Sequence, residues 1–315
     1  MTLAIPFRTL IHADWSVSPK KRWMARADFR DNRWMVSPTV RADDILSTLL
    51  ATADPPLLGG FDFPIGLPET YGRGTGFPDF PTFLRDLDEG AWDQFRTISR
   101  RPEEISQARP FYPAGAAKGV KRAHLVEAHA VSDWEGLLRR SERATGTRRA
   151  ACSIFWTLGG NQVGRGALSG WEEVLRPGLM AGAHLWPFDG SLLELAQRGG
   201  ITFSETYPAE AYGHVGVRFT RSQSKRRQSD RRSHSQTIID WAASREVSIE
   251  ADALDEIEDG FGTDAAGEDR FDAMLGLMGM VEVVVGGRPE RPLTVSEETI
   301  WEGWIMGQAG ISDAE

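Results

Sequence analysis

Residues Thr9 to Val17 alternate in polarity. Ile11, Ala13, Trp15 and Val17 fall on one side of an extended chain, and Leu10, His12, Asp14 and Ser16 on the other. The period of two predicts a strand. The polar run Ser18-Pro19-Lys20-Lys21 then predicts a turn, and two further short strands follow around 22–29 and 33–37, joined at Asp31-Asn32. Between Arg41 and Ala53 the apolar positions Ile45, Leu46, Leu49 and Leu50 take helical spacing, and Pro55-Pro56 ends the pattern. Leu57 to Phe63 is almost wholly apolar, as expected of a central strand buried on both faces, with Asp62 as its one charged residue. The opening order is therefore β-β-β-α-β.

From residue 69 to 198 the pattern changes to aromatic, Gly- and Pro-rich stretches with several helix-like segments. It is too long to be a loop and reads as an inserted subdomain. Ile201 to Tyr207 returns to strand character, a basic segment follows over 218–234, and Ser235 to Ser244 has helical spacing. Glu268 to Val285 is apolar almost all round after its first turn, which predicts a buried helix. The expected organisation is a core in two parts, 1–68 and 199–285, split by the insertion, with 286–315 as a Trp-bearing appendage.

Composition adds exclusions more than identity. A chain of 315 residues with 41% hydrophobic and 26% charged residues is ordinary for a globular protein. The lone Cys152 forms no internal disulfide and precedes an apolar stretch, so core packing is its expected role. No run of 18 apolar residues appears and the N-terminus lacks a secretion signal; the expectation is a cytoplasmic protein with no membrane contact. Nothing in the chain indicates an oligomeric state. A net charge of −9 argues against a general nucleic-acid coat, yet the charge is segregated. Seven Lys/Arg residues face the single acid Asp230 between Arg218 and His234, and acids dominate from Glu250 to Asp272.

Candidate chemistry follows from where carboxylates fall. Asp14 lies in the first strand, Asp62 ends the fourth, Glu205 nears the end of the fifth, and Asp269 and Asp272 open the buried helix on one side of it. Ionised carboxylates in such places need a partner, and several that converge need a cation. Each also has a plainer role: a solvent-facing strand Asp for Asp14, a turn cap for Asp62, an arginine partner for Glu205, and the helix dipole for Asp269 and Asp272. Gly159-Gly160-Asn161-Gln162 reads as an ordinary turn, and Gly72-Arg73-Gly74-Thr75-Gly76 lacks dinucleotide-binding spacing.

Four strings carry a resemblance: Ala13-Asp14-Trp15-Ser16, Phe61-Asp62-Phe63-Pro64-Ile65-Gly66-Leu67-Pro68, Glu205-Thr206-Tyr207-Pro208-Ala209-Glu210 and Asp269-Arg270-Phe271-Asp272-Ala273. In this order they resemble an uncharacterised family of predicted nucleases, domain-of-unknown-function family 429. The chain departs from the family pattern at Trp15 and at Tyr207-Pro208-Ala209-Glu210, where that family more often has Gly or Cys features and a His-Pro-Glu string. The resemblance implies an α/β, RNase H-like mixed β-sheet with flanking helices and a large insertion. It also implies two-metal hydrolysis of a phosphodiester with Mg²⁺ or Mn²⁺. Asp14 would bridge the ions, Asp62, Glu205 and Asp272 would complete the catalytic set, and Asp269 would be a further ligand. Nucleic acid is the implied partner, with Arg221, Lys225, Arg226, Arg227, Arg231 and Arg232 able to meet its phosphates.

Two other functions share these residues. A phosphotransferase of the sugar-kinase and actin type has the same core topology, but needs a glycine-containing phosphate loop where this chain has Trp15-Ser16-Val17-Ser18-Pro19. A binding protein with a degenerate metal site is the other.

Overall fold

The computed structural model describes residues 5–52, 55–87, 90–116, 118–144, 149–159, 162–292 and 300–308. Gly160 and Asn161 of the expected glycine turn lie outside them, as does much of the expected C-terminal appendage.

The alternating segments form strands β1 (Thr9–Asp14), β2 (Trp23–Arg30), β3 (Arg33–Val36), β4 (Val40–Arg41), β5 (Leu57–Phe61), β6 (His184–Leu185), β7 (Ile201–Glu205) and β8 (Ser248–Ile249). They make one mixed eight-stranded sheet in the order β6-β7-β5-β1-β2-β3-β8, with β4 paired to β2. β1, β2 and β3 are a meander of antiparallel neighbours. Its tight connection is Asp31-Asn32, both at positive φ (50° and 61°), a twist that short polar side chains tolerate. β5 then joins β1 in parallel, β7 joins β5, and β6 joins β7.

Parallel strands need a crossover, and the helix Ile45–Leu50 supplies it between β4 and β5. Its first turn is capped by Asp44, whose side chain accepts from the Ser47 N–H at 3.1 Å. Leu49 packs on the sheet face at Gly59, next to Phe203. The opposite face is covered by the long helix Gly267–Val284, buried from Phe271 to its end. That helix lies unusually close to the strands. A Cβ on Gly276 would sit 2.2 Å from the His12 ring, and one on Gly60 would sit 2.6 Å from the Met280 sulfur. The missing side chains are what let helix and sheet approach.

The chain divides into two compact units. One comprises Met1–Asp62, Gly182–Glu290 and Ile305–Gly307; the other comprises Phe63–Ala181, Arg291–Trp304 and Gln308–Glu315. The boundaries differ from the expected 68/69 and 198/199. His184–Leu185 adds to the sheet beside β7, so the chain rejoins the first unit before residue 199. Phe63 to Pro68 belongs with the second unit, where the Trp171 indole N–H donates to the Pro64 carbonyl at 2.8 Å. The expected appendage is divided as well. Trp301 and Trp304 are buried in the second unit, since rings of that area are rarely left in water. Among the described residues no helix is long and apolar enough to cross a membrane. Cys152 is buried.

Candidate functional site

Strand register brings the first two acids together. Ala13 pairs with Phe61 across the parallel β1–β5 ladder, so Asp14, the last residue of β1, falls beside Asp62, the first residue past β5. Both stand at the carboxyl ends of parallel strands, where open α/β sheets form their sites. Each carboxyl lies close enough to act on the other's charge state. Asp62 Oδ1 also accepts from the backbone N–H of Trp15 at 2.5 Å. Trp15 is fixed in turn by Arg22, whose guanidinium lies 3.7 Å from the ring centroid and whose Nε donates to the Ser16 carbonyl at 2.6 Å.

The third acid comes from the helix above. Asp272 sits in the first turns of Gly267–Val284, on the side facing Asp14, and both its oxygens are engaged. Oδ1 accepts from the Tyr212 hydroxyl, brought in by helix Pro208–Val215, and Oδ2 accepts from the Lys225 ammonium. Lys225 Nζ also lies 3.2 Å from Glu268 Oε1, one helical turn before Asp272. Asp269 stands half-buried at the rim.

Electrostatics follow from this crowding. Burial, then the charges of Asp62, Asp272 and Asp269, hold the Asp14 carboxyl well above the usual range, with Lys225 opposing them. Burial lifts Asp62 to about 7 against the stabilising Trp15 N–H. Asp269 rises to about 6, from burial and from the Glu268 and Asp272 charges. Asp272 is raised too, although it is paired with Lys225, because its burial outweighs one ammonium. The same pairing holds Lys225 protonated against its own desolvation. Tyr212 is pushed well up by burial and by Asp272, so it stays a hydroxyl donor. Burial and mutual repulsion thus hold all three acids above the range of free carboxyls, with one ammonium opposing them.

Two expectations from sequence need correction. Glu205 pairs with Phe61, not with Asp62, so strand alternation puts it on the face of Phe61 and Phe203, opposite Asp14. Its backbone carbonyl accepts from the Met306 N–H, and its side chain is buried. The six basic residues do not form one phosphate-binding surface. Arg231 is buried and donates to the carbonyls of Gly260 (2.9 Å), Gly262 (2.7 Å) and Lys225 (2.5 Å). Lys225 is committed to the acids, and Arg227 reaches Asp230 at 2.7 Å. Arg226, 3.5 Å from Glu268, remains largely exposed, as do Arg221 and Arg232.

Sequence reasoning missed Tyr212, the acid-binding role of Lys225 and the backbone contact of Trp15. Only the basic segment's position between Glu205 and the last helix hinted at any of them. Oxygen ligands and unneutralised negative charge are the chemistry a hard divalent cation requires. As the side chains stand, however, no group of three or more His, Cys, Asp or Glu among the described residues is arranged to hold an ion. A concavity of about 1050 Å³ lies elsewhere, lined by Phe7, Arg8, Arg33, Trp34 and Arg245 among others. It contains no acid cluster. No protein-family model, no curated protein and no solved structure matches the chain.

Proposed function

We propose that the protein is a divalent-metal-dependent nuclease with an RNase H-like core, in which Asp14, Asp62 and Asp272 hold the cation and Asp269 stands at its rim. The observation that carries this reading is the convergence of three acids: β1–β5 register sets Asp14 beside Asp62, Asp272 reaches them from the last helix, and all three are held above the usual carboxyl range. Crowded carboxylates of this kind favour a cation that neutralises them. The sheet supports the fold assignment. An antiparallel β1–β2–β3 meander extended in parallel by β5 and β7 is the arrangement that the motif resemblance implies. Mg²⁺ or Mn²⁺ bound there would activate a water and stabilise the leaving oxygen of a phosphodiester.

The chain's own residues prepare the site in three ways. The Trp15 N–H orients Asp62 by donating to its Oδ1. The Tyr212 hydroxyl fixes the rotation of the Asp272 carboxylate. The packed helix and sheet bury Asp14 and Asp272. Exposed Arg221, Arg226 and Arg232 are the groups that remain for a phosphate backbone.

The Lys225–Asp272 ion pair favours a second reading, a non-catalytic protein in which an internal ammonium has replaced the metal. Calorimetric titration with Mn²⁺ and melting with and without it separate the two. The nuclease reading expects Mn²⁺ to bind and stabilise the wild type, Asp14→Asn to abolish both effects, and Glu205→Gln to leave them intact. It also expects cleavage of DNA or RNA oligonucleotides that stops with a chelator. Absence of Mn²⁺ binding to the wild type would overturn it.

A further inference from the structure

Lys225 is built into the acidic site with more care than a surface lysine requires. Its backbone carbonyl is held by buried Arg231, which is tied in turn to Gly260 and Gly262. The preceding residue is held too, by Ser224 N–H donating to Asp230 at 2.8 Å. The braced turn aims the ammonium at Asp272 and Glu268, while 37% of the side chain stays open to solvent. A four-carbon stem with one open side can leave without any backbone change.

We propose that Lys225 is an internal occupant of the cation site: its ammonium stands in for the divalent ion against Asp272 and Glu268, and it swings out to solvent when the ion binds. This rests on the metal-site reading above and adds its regulation. The charge count motivates the exchange. With Lys225 and a divalent cation both present, two cationic groups would compete for the same Asp272 oxygen at hydrogen-bond range, and like charges at that distance repel. Without either, Asp272 and Glu268 face each other and Asp14 uncompensated. One cation at a time satisfies the cluster. The exchange breaks two ion pairs and forms no covalent bond. Metal affinity is therefore set by competition with a tethered ligand, and the site is closed by default.

Two measurements on the full chain test this. Lys225→Met and Lys225→Gln, each first shown to be folded by circular dichroism, are titrated with Mn²⁺ beside the wild type. Both should bind at least about tenfold more tightly, since the competitor is gone. In parallel, wild-type lysines are labelled with an amine-acylating reagent and quantified by peptide mass spectrometry. Lys225 should label slowly without Mn²⁺ and several-fold faster with it. Exposed Lys20, Lys21, Lys118 and Lys121, the chain's other lysines, should not change. If wild type and variants bind equally, or Lys225 labelling ignores bound Mn²⁺, the occupant role is wrong while the metal site stands. If the variants bind and the wild type does not, Lys225 is an occupant that closes the site and the nuclease reading falls. If none binds, both readings fall.

Discussion

The substitution Asp62→Asn removes one titrating group from the acid cluster while keeping an oxygen to accept the Trp15 N–H. In the folded protein this carboxyl is lifted from 3.8 to about 7, first by burial and then by the Asp272 charge. A raised carboxyl pKa stabilises the fold fully below the unfolded value, and that contribution is lost as pH climbs through the folded value. Between about pH 4 and pH 7 the unfolded chain gives up this proton while the folded chain must keep it. At roughly 1.4 kcal/mol per pH unit, about three units give an upper bound near 4 kcal/mol. Asp62 is only half-buried by exposed area and its charge depends on that of Asp14, so about 2 kcal/mol is the working figure. Urea unfolding of wild type and Asp62→Asn at pH 5 and pH 8, both in chelator, measures it. The variant should be the more stable at pH 8, by about 2 kcal/mol, with a gap that shrinks at pH 5. Parallel pH profiles, or a variant less stable at pH 8, would refute the buried-acid account.

Two further outcomes are expected. Gly276→Ala places a Cβ 2.2 Å from the His12 ring, which is itself held by its Nδ1 contact with the Ala273 carbonyl at 2.9 Å. Overpacking of about 1–3 kcal/mol should outweigh the helix-propensity gain of about 1 kcal/mol, and a denaturation midpoint at or above wild type would contradict the close helix–sheet contact. Arg231→Met leaves three carbonyls, that of Gly260 buried and those of Lys225 and Gly262 part-buried, without their charged donor and should cost at least about 3 kcal/mol, with faster proteolysis in the 221–228 turn. Arg232→Ala, at an exposed position, should change neither, and equal effects from the two would undo the bracing role of Arg231.

Periodicity alone was enough for the meander, the crossover helix and the buried last helix, because alternation and helical spacing are local consequences of which side faces the core. The Asp31-Asn32 turn was legible for the same reason: two short polar residues between two strands are a local signal. Asp14, Asp62 and Asp272 stood out because charge on apolar segments is conspicuous in one dimension.

Which acids meet was not legible, since a strand's partner and register are set by residues far away in the chain. Glu205 lies on an equally apolar strand, yet pairing with Phe61 instead of Asp62 turns it to the other face. The basic segment misled for a related reason. Seven positive charges between positions 218 and 232 look solvated, but whether each meets water, a carbonyl or a carboxylate depends on what folds over it. Burial of Arg231 and the pairing of Lys225 with Asp272 come from contacts across 29 and 47 residues of sequence. Sequence patterning thus determined the elements and named most of the acids. Tertiary packing decided that three of them share a buried site, that one does not, and that a lysine from the basic segment already sits among them.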